Sequence, residues 1–273
     1  MLTDIQVRTG LGRLLSLSLD DIEEGYSVQE ITGLDPVPAT INSSGYATQD
    51  GEQYNSSKRG KRNIVLKLGL EPDYIGVTAR KLRDRLYGFL MPKSEVTLRF
   101  ISDEEPTVEI VGRVESFDAP LFTAEPMATI SVLCMLPDFI DKTPITFSGN
   151  STADQTETIL DYDGTVETGF VFRMRIDRAL SQFSLKSRAT DNVQRSMDFA
   201  ATLQAGDVIE VSTVPGSKGV YLIRTDNRSS LLYALSPYSP WIELFPGPNY
   251  VRLSATGAAL AYTIAYTNKY GGL

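Results

Sequence analysis

Histidine is absent from the 273 residues and cysteine occurs once. Without imidazole, Ser-His-Asp and Cys-His nucleophilic systems cannot be built in their usual form. Zinc sites of the His/Cys kind are likewise excluded for a chain with a single thiol. That thiol, Cys134 in ISVLCML, cannot close an intrachain disulfide. Its apolar neighbours predict a buried, inert side chain, in a protein that folds in a reducing compartment or is indifferent to redox. No run of about 18 apolar residues is present, so no membrane span is expected. The opening MLTDIQVRTG lacks the basic segment and apolar stretch of a signal peptide. There is no GxxxxGKS/T loop, and the GLG at Gly10–Gly12 lacks a third glycine and a dinucleotide-binding context. Positive charge is also short: a net charge of −8 argues against sequence-independent nucleic-acid binding, which runs on phosphate neutralisation. Carboxylate-only chemistry remains open, but no acidic pair stands out. The expectation is a protein without catalytic residues, metal or cofactor.

What is present is β structure. The chain is long enough for two domains, and its 42% apolar fraction is ordinary for a globular protein. Leu15, Leu17 and Leu19 alternate with Ser16 and Ser18, a strand or hairpin edge. GYSVQEITGLDP gives a second short strand, with Val28 and Ile31 apolar. Ile64, Leu66 and Leu68 share one face of a third. One helix is expected over 78–91: Thr78 suits the N-cap, Leu82, Leu86, Phe89 and Leu90 recur at helical spacing, and Pro92 ends it. Its basic residues Arg80, Lys81, Arg83 and Arg85 read as a solvated face. Strands resume at Val96–Phe100, Val108–Val114, Phe117 and Ile130–Cys134. These segments read as one antiparallel unit with a helix packed across it, ending in the 136–145 stretch and taken as 1–140. Residues 141–273 change texture. Phe170, Phe172, Met174 and Ile176 alternate with charged neighbours, and strands follow at 183–187, 208–212, 219–224, 231–234, 250–254 and 260–266. Turn signals recur every dozen or so residues without a convincing helix, the pattern of a β-sandwich.

Between the second and third strands lies a polar stretch, 45–62, rich in Gly, Ser, Asn and Gln. It contains the turn pair Asp50-Gly51, then Tyr54 and the cations Lys58, Arg59, Lys61 and Arg62. So little apolar area cannot offset a backbone ordering cost of ~1–2 kcal/mol per residue. The stretch is therefore either a loop or an arm that gains order by lying on another subunit. An acidic group in the same domain, Asp20, Asp21, Glu23 and Glu24, is a candidate acceptor, although a solvated turn explains it with less.

Several segments resemble the distal tail proteins of long-tailed, siphovirus-type bacteriophages. They are GYSVQEITGLDP, the DGEQY arm with GKRNIVLKLGL after it, the Asp163-Gly164-Thr165 turn, AGDVIEVST and FPGPNYVRL. Each is short; their order and spacing span nearly the whole chain. The resemblance implies a mainly β protein in which the N-terminal unit, with its helix and polar arm, builds a hexameric ring, and the second half is a galectin-like β-sandwich. It implies a structural part of the tail tip or baseplate at the distal end of the virion tail, assembled in the host cytoplasm. Such a ring joins the tail tube protein to the hub or other tail-associated proteins, with the tape-measure protein and fibres as further neighbours and DNA passing through the lumen. An acidic lumen repels passing DNA instead of trapping it.

Two other readings compete. A carbohydrate-binding adhesion module of the tail follows from the galectin likeness, but galectin sugar sites use His, and Trp241 stands alone between Pro240 and Ile242. A hydrolase or calcium-binding enzyme built on Asp161-Tyr162-Asp163-Gly164 is the other; the spacing begins like an EF-hand loop but lacks its third acidic position and closing Glu.

Overall fold

The computed structural model describes residues 2–22, 24–48, 50–73, 75–103, 106–120, 125–151, 156–225 and 227–273. It is mainly β with one α-helix, and it divides into two compact units: Met1–Lys142 together with Tyr270–Leu273, and Thr143–Lys269.

The first unit is built on a large antiparallel sheet. Its strands are β1 (Leu2–Thr9), β2 (Leu14–Ser18), β3 (Tyr26–Thr32), β6 (Arg62–Leu70), β7 (Glu95–Ser102), β8 (Val108–Asp118) and β9 (Met127–Cys134), in the order β2-β1-β7-β8-β9-β6-β3. A short β10 (Phe139–Asp141) pairs the start of β8, and β4 (Ala39–Gly45) and β5 (Glu52–Arg59) stand apart as a two-stranded sheet. Period-two alternation places Leu15, Leu17, Ile64, Leu66, Leu68, Val96, Leu98 and Phe100 in one core, as their spacing requires. Val28 and Ile31 are three apart yet both pack on that core, because a register shift between Val28 and Glu30 inserts one residue. Strand β1, next to the edge strand β2, was not expected, although Ile5 and Val7, both fully buried, alternate with Gln6 and Arg8.

Helix α1 spans Ala79–Leu90. The Thr78 hydroxyl accepts from the Lys81 backbone N–H at 3.3 Å, satisfying one orphan donor of the first turn. Leu82, Leu86, Phe89 and Leu90 are buried, and the Tyr26 hydroxyl donates to Leu82 O at 2.9 Å. Cys134 is fully buried in the same core, and burial pushes its thiol up to about 11.

The second unit has two antiparallel sheets. The six-stranded sheet contains β11 (Ile145–Asn150), β13 (Val171–Arg175), β16 (Val208–Ser212), β17 (Gly219–Arg224), β18 (Asn227–Ser230) and β20 (Ala261–Tyr266), in the order β11-β20-β13-β16-β17-β18. The four-stranded sheet contains β12 (Thr158–Tyr162), β14 (Leu180–Arg188), β15 (Gln194–Leu203) and β19 (Gly247–Ala255), in the order β12-β19-β14-β15. Both feed one core: Phe172, Met174, Ile209 and Ile264 from the first, Leu185, Met197, Phe199 and Leu253 from the second. One expected strand is not a strand. Leu232–Ala234 forms a 3₁₀ turn, with Leu235 N donating to Leu232 O at 3.1 Å, while β18 just before it takes the pairing with β17. The apolar run Leu231-Leu232-Tyr233 has no period-two face to bury, and Leu232 and Tyr233 stay exposed.

A buried acid ties β16 to β17. Asp207 receives Arg224 Nε at 2.7 Å and Nη2 at 2.6 Å, and also the Gln204 N–H at 2.9 Å. These donors, Arg224 first, hold the Asp207 carboxyl below its usual pKa. A depressed folded-state pKa contributes stability above the unfolded value of about 3.9, and that contribution is lost as pH falls through the folded value. Melting followed by the single tryptophan, Trp241 of this unit, should therefore show a Tm that drops below about pH 4. Asp207→Asn should lower Tm at neutral pH and flatten that acid slope; an unchanged slope would remove Asp207 from the account.

Candidate assembly interface

The polar stretch is a β-hairpin. It starts earlier than its composition indicated, with β4 (Ala39–Gly45) pairing β5 (Glu52–Arg59) in a two-stranded sheet of its own. Gly51 lies at φ +98°, a backbone region that favours glycine, and closes the tip beside Asp50. Polar side chains zip the strands together. Asn42 Nδ2 donates to Ser56 Oγ at 3.1 Å, Asn55 Nδ2 donates to Ser44 Oγ at 2.5 Å, and the Ser43 hydroxyl donates to Glu52. None of its residues joins either core, and nearly all are exposed. An isolated two-stranded hairpin is only marginally stable in water, and both of its outer edges offer unpaired backbone groups to another chain.

The seven residues singled out on this stretch divide into three groups. Asp50, Gly51, Lys58 and Lys61 are exposed, as is Tyr54, whose hydroxyl lies 2.8 Å from Ser57 Oγ. Arg59 sits at the root, where its guanidinium clasps the Asp138 carboxylate through both nitrogens. Arg62 is a different residue from the one its sequence neighbours suggest. It is 1% exposed and belongs to the fold. Its Nε donates to Pro137 O at 2.6 Å, Nη1 to Gly33 O at 2.6 Å and to Asp35 O at 2.8 Å, and Nη2 to Gly271 O at 2.5 Å. The guanidinium lies over the Phe139 ring, 4.4 Å from its centroid. Burial lowers the Arg62 pKa, which nearby Asp138 and Asp35 partly offset; arginine keeps its proton nonetheless. Gly33 is at φ +87°, and a Cβ there would come within 1.9 Å of Asn63 O, so only glycine can hold this carbonyl against Arg62. Arg62 thus gathers the lead-in to the hairpin, the β9–β10 turn and the chain's last residues onto one side chain. It is not available as an exposed arm cation.

The acidic group is also divided. Glu24 pairs with Arg85 of α1, Asp20 and Asp21 are exposed, and Glu23 lies outside the described residues. Among the described residues, no ion pair joins Asp20, Asp21 or Glu24 to the hairpin cations.

In the second unit, Trp241 packs partly buried against the core, with Lys218 Nζ 6.0 Å from its ring centroid. Asp161 and Tyr162 end β12. The buried Tyr162 hydroxyl donates to Val166 O at 2.8 Å and accepts the Lys269 N–H at 3.0 Å. Among the described residues, no group of three His, Cys, Asp or Glu side chains could hold a metal ion, and no helix is long and apolar enough to cross a membrane. An open groove of about 800 Å³ is lined by residues of β14, β15 and β19 and by the 233–237 segment, Gln182, Ser184, Asp198 and Tyr233 among them.

The family model described as siphovirus-type tail component, C-terminal domain, matches residues 163–270. The fold is similar along nearly its full length to the SPP1 Dit (gp 19.1) protein, described as a paradigm of the hub adsorption apparatus in phages that infect Gram-positive hosts. The TM-score is 0.67 at 18% identity, over 97% of this chain and 98% of that one. A chain of the phage P2 baseplate, in its activated conformation with Ca, is similar at a TM-score of 0.50 and 10% identity over 100% of both chains. No curated protein sequence matches the chain.

Proposed function

We infer, from the match of residues 163–270 to the siphovirus-type tail component model, that this protein is a structural part of a bacteriophage tail tip or baseplate. The observation that carries the reading is the similarity of fold along 97% of the chain to a hub adsorption protein. Its role is to join tube and hub, and it performs no catalysis. The finer picture follows the same likeness. The first unit closes with other copies into a ring, six by analogy, which meets the tail tube protein on one side and the hub or tail-associated proteins on the other. Tape-measure protein and DNA pass through its lumen, and fibres attach outside it. The second unit is read as a galectin-like sandwich, supported by two antiparallel sheets around one core. The exposed hairpin supports assembly through the first unit: Asp20 and Asp21 serve as outlying acidic contacts for Lys58 and Lys61, and the root stays pinned by Arg59 and Asp138.

The test is location. Gold-conjugated antibody against the purified protein should label virions at the distal tip of the tail, between tube and fibres. Label on the capsid, along the tube, or absent from virions would overturn the reading.

The groove that Tyr233 helps to line favours a second reading, contact with a host wall polysaccharide. A glycan array probed with the protein should then give signal that Tyr233→Ala removes. A blank array with the unaltered protein ends that reading and leaves the structural one standing.

A further inference from the structure

The large sheet of the first unit has an opening. Along one side of β8, Val108 and Glu109 pair β10, whereas pairing with β9 begins only at Arg113. Across Ile110–Gly112 neither strand is in register with it on that side. The turn from β9 to β10 runs past this gap and leaves Met135 61% and Leu136 72% exposed. With Val111, Leu133 and Ile140 these side chains line an apolar cleft of about 220 Å³. That volume is below the roughly 300–1,000 Å³ of small-molecule sites. It suits one or two inserted side chains. Arg113 stands at the rim, paired with Glu95.

The hairpin carries a matching feature. Ile41 is opposite Ser57 and Ser43 is opposite Tyr54, with Asn55 as the extra residue of a bulge. The Tyr54 hydroxyl reaching Ser57 places Tyr54 and Ile41 on one face. They are 62% and 66% exposed, on an element that is otherwise polar apart from Tyr46 near its tip. Glu52, opposite Gly45, continues the same face.

We propose that the cleft bounded by Val111, Met135 and Leu136 receives the Ile41–Tyr54 face of the hairpin of a second copy of this chain. The inference rests on the ring reading above and names its contact. Both surfaces are exposed in the single chain, so neither fills the other within it. Aromatic and aliphatic anchors entering a small pocket are the usual source of binding energy at an interface. The charged groups lining the cleft are already paired, Arg113 with Glu95 and Asp138 with Arg59, so the contact rests on apolar fit. Hairpin and cleft are different surfaces of one unit, so the contact can repeat head-to-tail from copy to copy, and it closes into a ring when the rotation between copies closes.

The experiment measures assembly by mass photometry across a dilution series, with Cys134 protection from thiol reagents as the check on folding. Leu136→Glu and Tyr54→Glu alter exposed side chains, so both variants should keep Cys134 protected. Each should raise the half-assembly concentration at least about 30-fold, the ~2 kcal/mol of an anchor residue at 1.4 kcal/mol per decade. Mixing the two variants should give two-copy species and no rings, because only one productive contact remains per pair. The double variant Tyr54→Cys/Leu136→Cys should oxidise to a covalent ladder that ends at the ring, whereas each single variant gives no ladder. If Leu136→Glu assembles like the unaltered protein while loss of the hairpin abolishes assembly, the cleft is not the acceptor and the ring reading stands. If the unaltered protein stays a single chain at every concentration, both fall.

Discussion

Replacing Arg62 by methionine lowers the stability of the first unit by about 3–5 kcal/mol, the cost of leaving a buried hydrogen-bonded network without one of its partners. The acyclic aliphatic chain of methionine fills most of the space over Phe139, so the loss is chiefly polar. Four carbonyls, of Gly33, Asp35, Pro137 and Gly271, lose a charged donor inside the protein at once. Against a domain stability of roughly 5–15 kcal/mol this brings the unit near unfolding. Arg62→Lys recovers only part, since an ammonium has three donors and cannot reproduce the planar fork that reaches three separate segments. The chain carries its own reporters. Cys134, its one thiol, is in the core of the first unit, and Trp241, its one indole, is in the second. In urea, thiol labelling of Arg62→Met should move to much lower denaturant while the tryptophan transition keeps its midpoint. Carboxypeptidase should also release the final residues faster, since Gly271 has lost its tether. Coincident thiol-labelling curves for mutant and parent would refute the assignment.

Excising the hairpin has a large effect of a different kind. Thr40 and Lys58 are cross-strand partners, so Ile41–Ser57 can be replaced by an Asn-Gly turn with the Arg59–Asp138 root left intact. No hairpin residue belongs to either core, so the shortened protein should fold, protect Cys134 and melt within a few degrees of the parent. If the proposed ring is built through the hairpin, the shortened protein should remain a single chain at concentrations where the parent assembles. A subunit contact of about 800 Å² per partner would have lost its anchors. Reversing Lys58 and Lys61 to Glu should do much less, and mainly at low salt. Exposed ion pairs are worth ~0.2–1 kcal/mol and are screened beyond about 10 Å at 0.1 M. Closed rings from the shortened protein would reduce the hairpin to a surface loop and move assembly to the sheet edges.

These two elements also mark the limit of sequence reading here. Alternation and helical spacing are local signals, and they identified the core faces of β2, β6, β7 and β13 and the buried stripe of α1. The N-cap was equally legible, because Thr78 and its acceptor role lie within one turn. The missing histidine and lone cysteine ruled out whole families of site before any fold was known. Arg62 was grouped with its neighbours because Lys58 and Lys61 beside it are exposed. The carbonyls that hold it lie 27, 29, 75 and 209 residues away in sequence, and no local pattern encodes them. The polar stretch was visible as an insertion without a core. That it pairs with Ala39–Gly45, and so puts Ile41 and Tyr54 on one face, depends on a strand register that composition does not specify. The return of Tyr270–Leu273 to the first unit was likewise decided in three dimensions, by a long-range contact with a single buried guanidinium. Sequence alone determined which side chains must leave water; the tertiary structure decided which charge went with them, because only there do distant carbonyls converge to receive it.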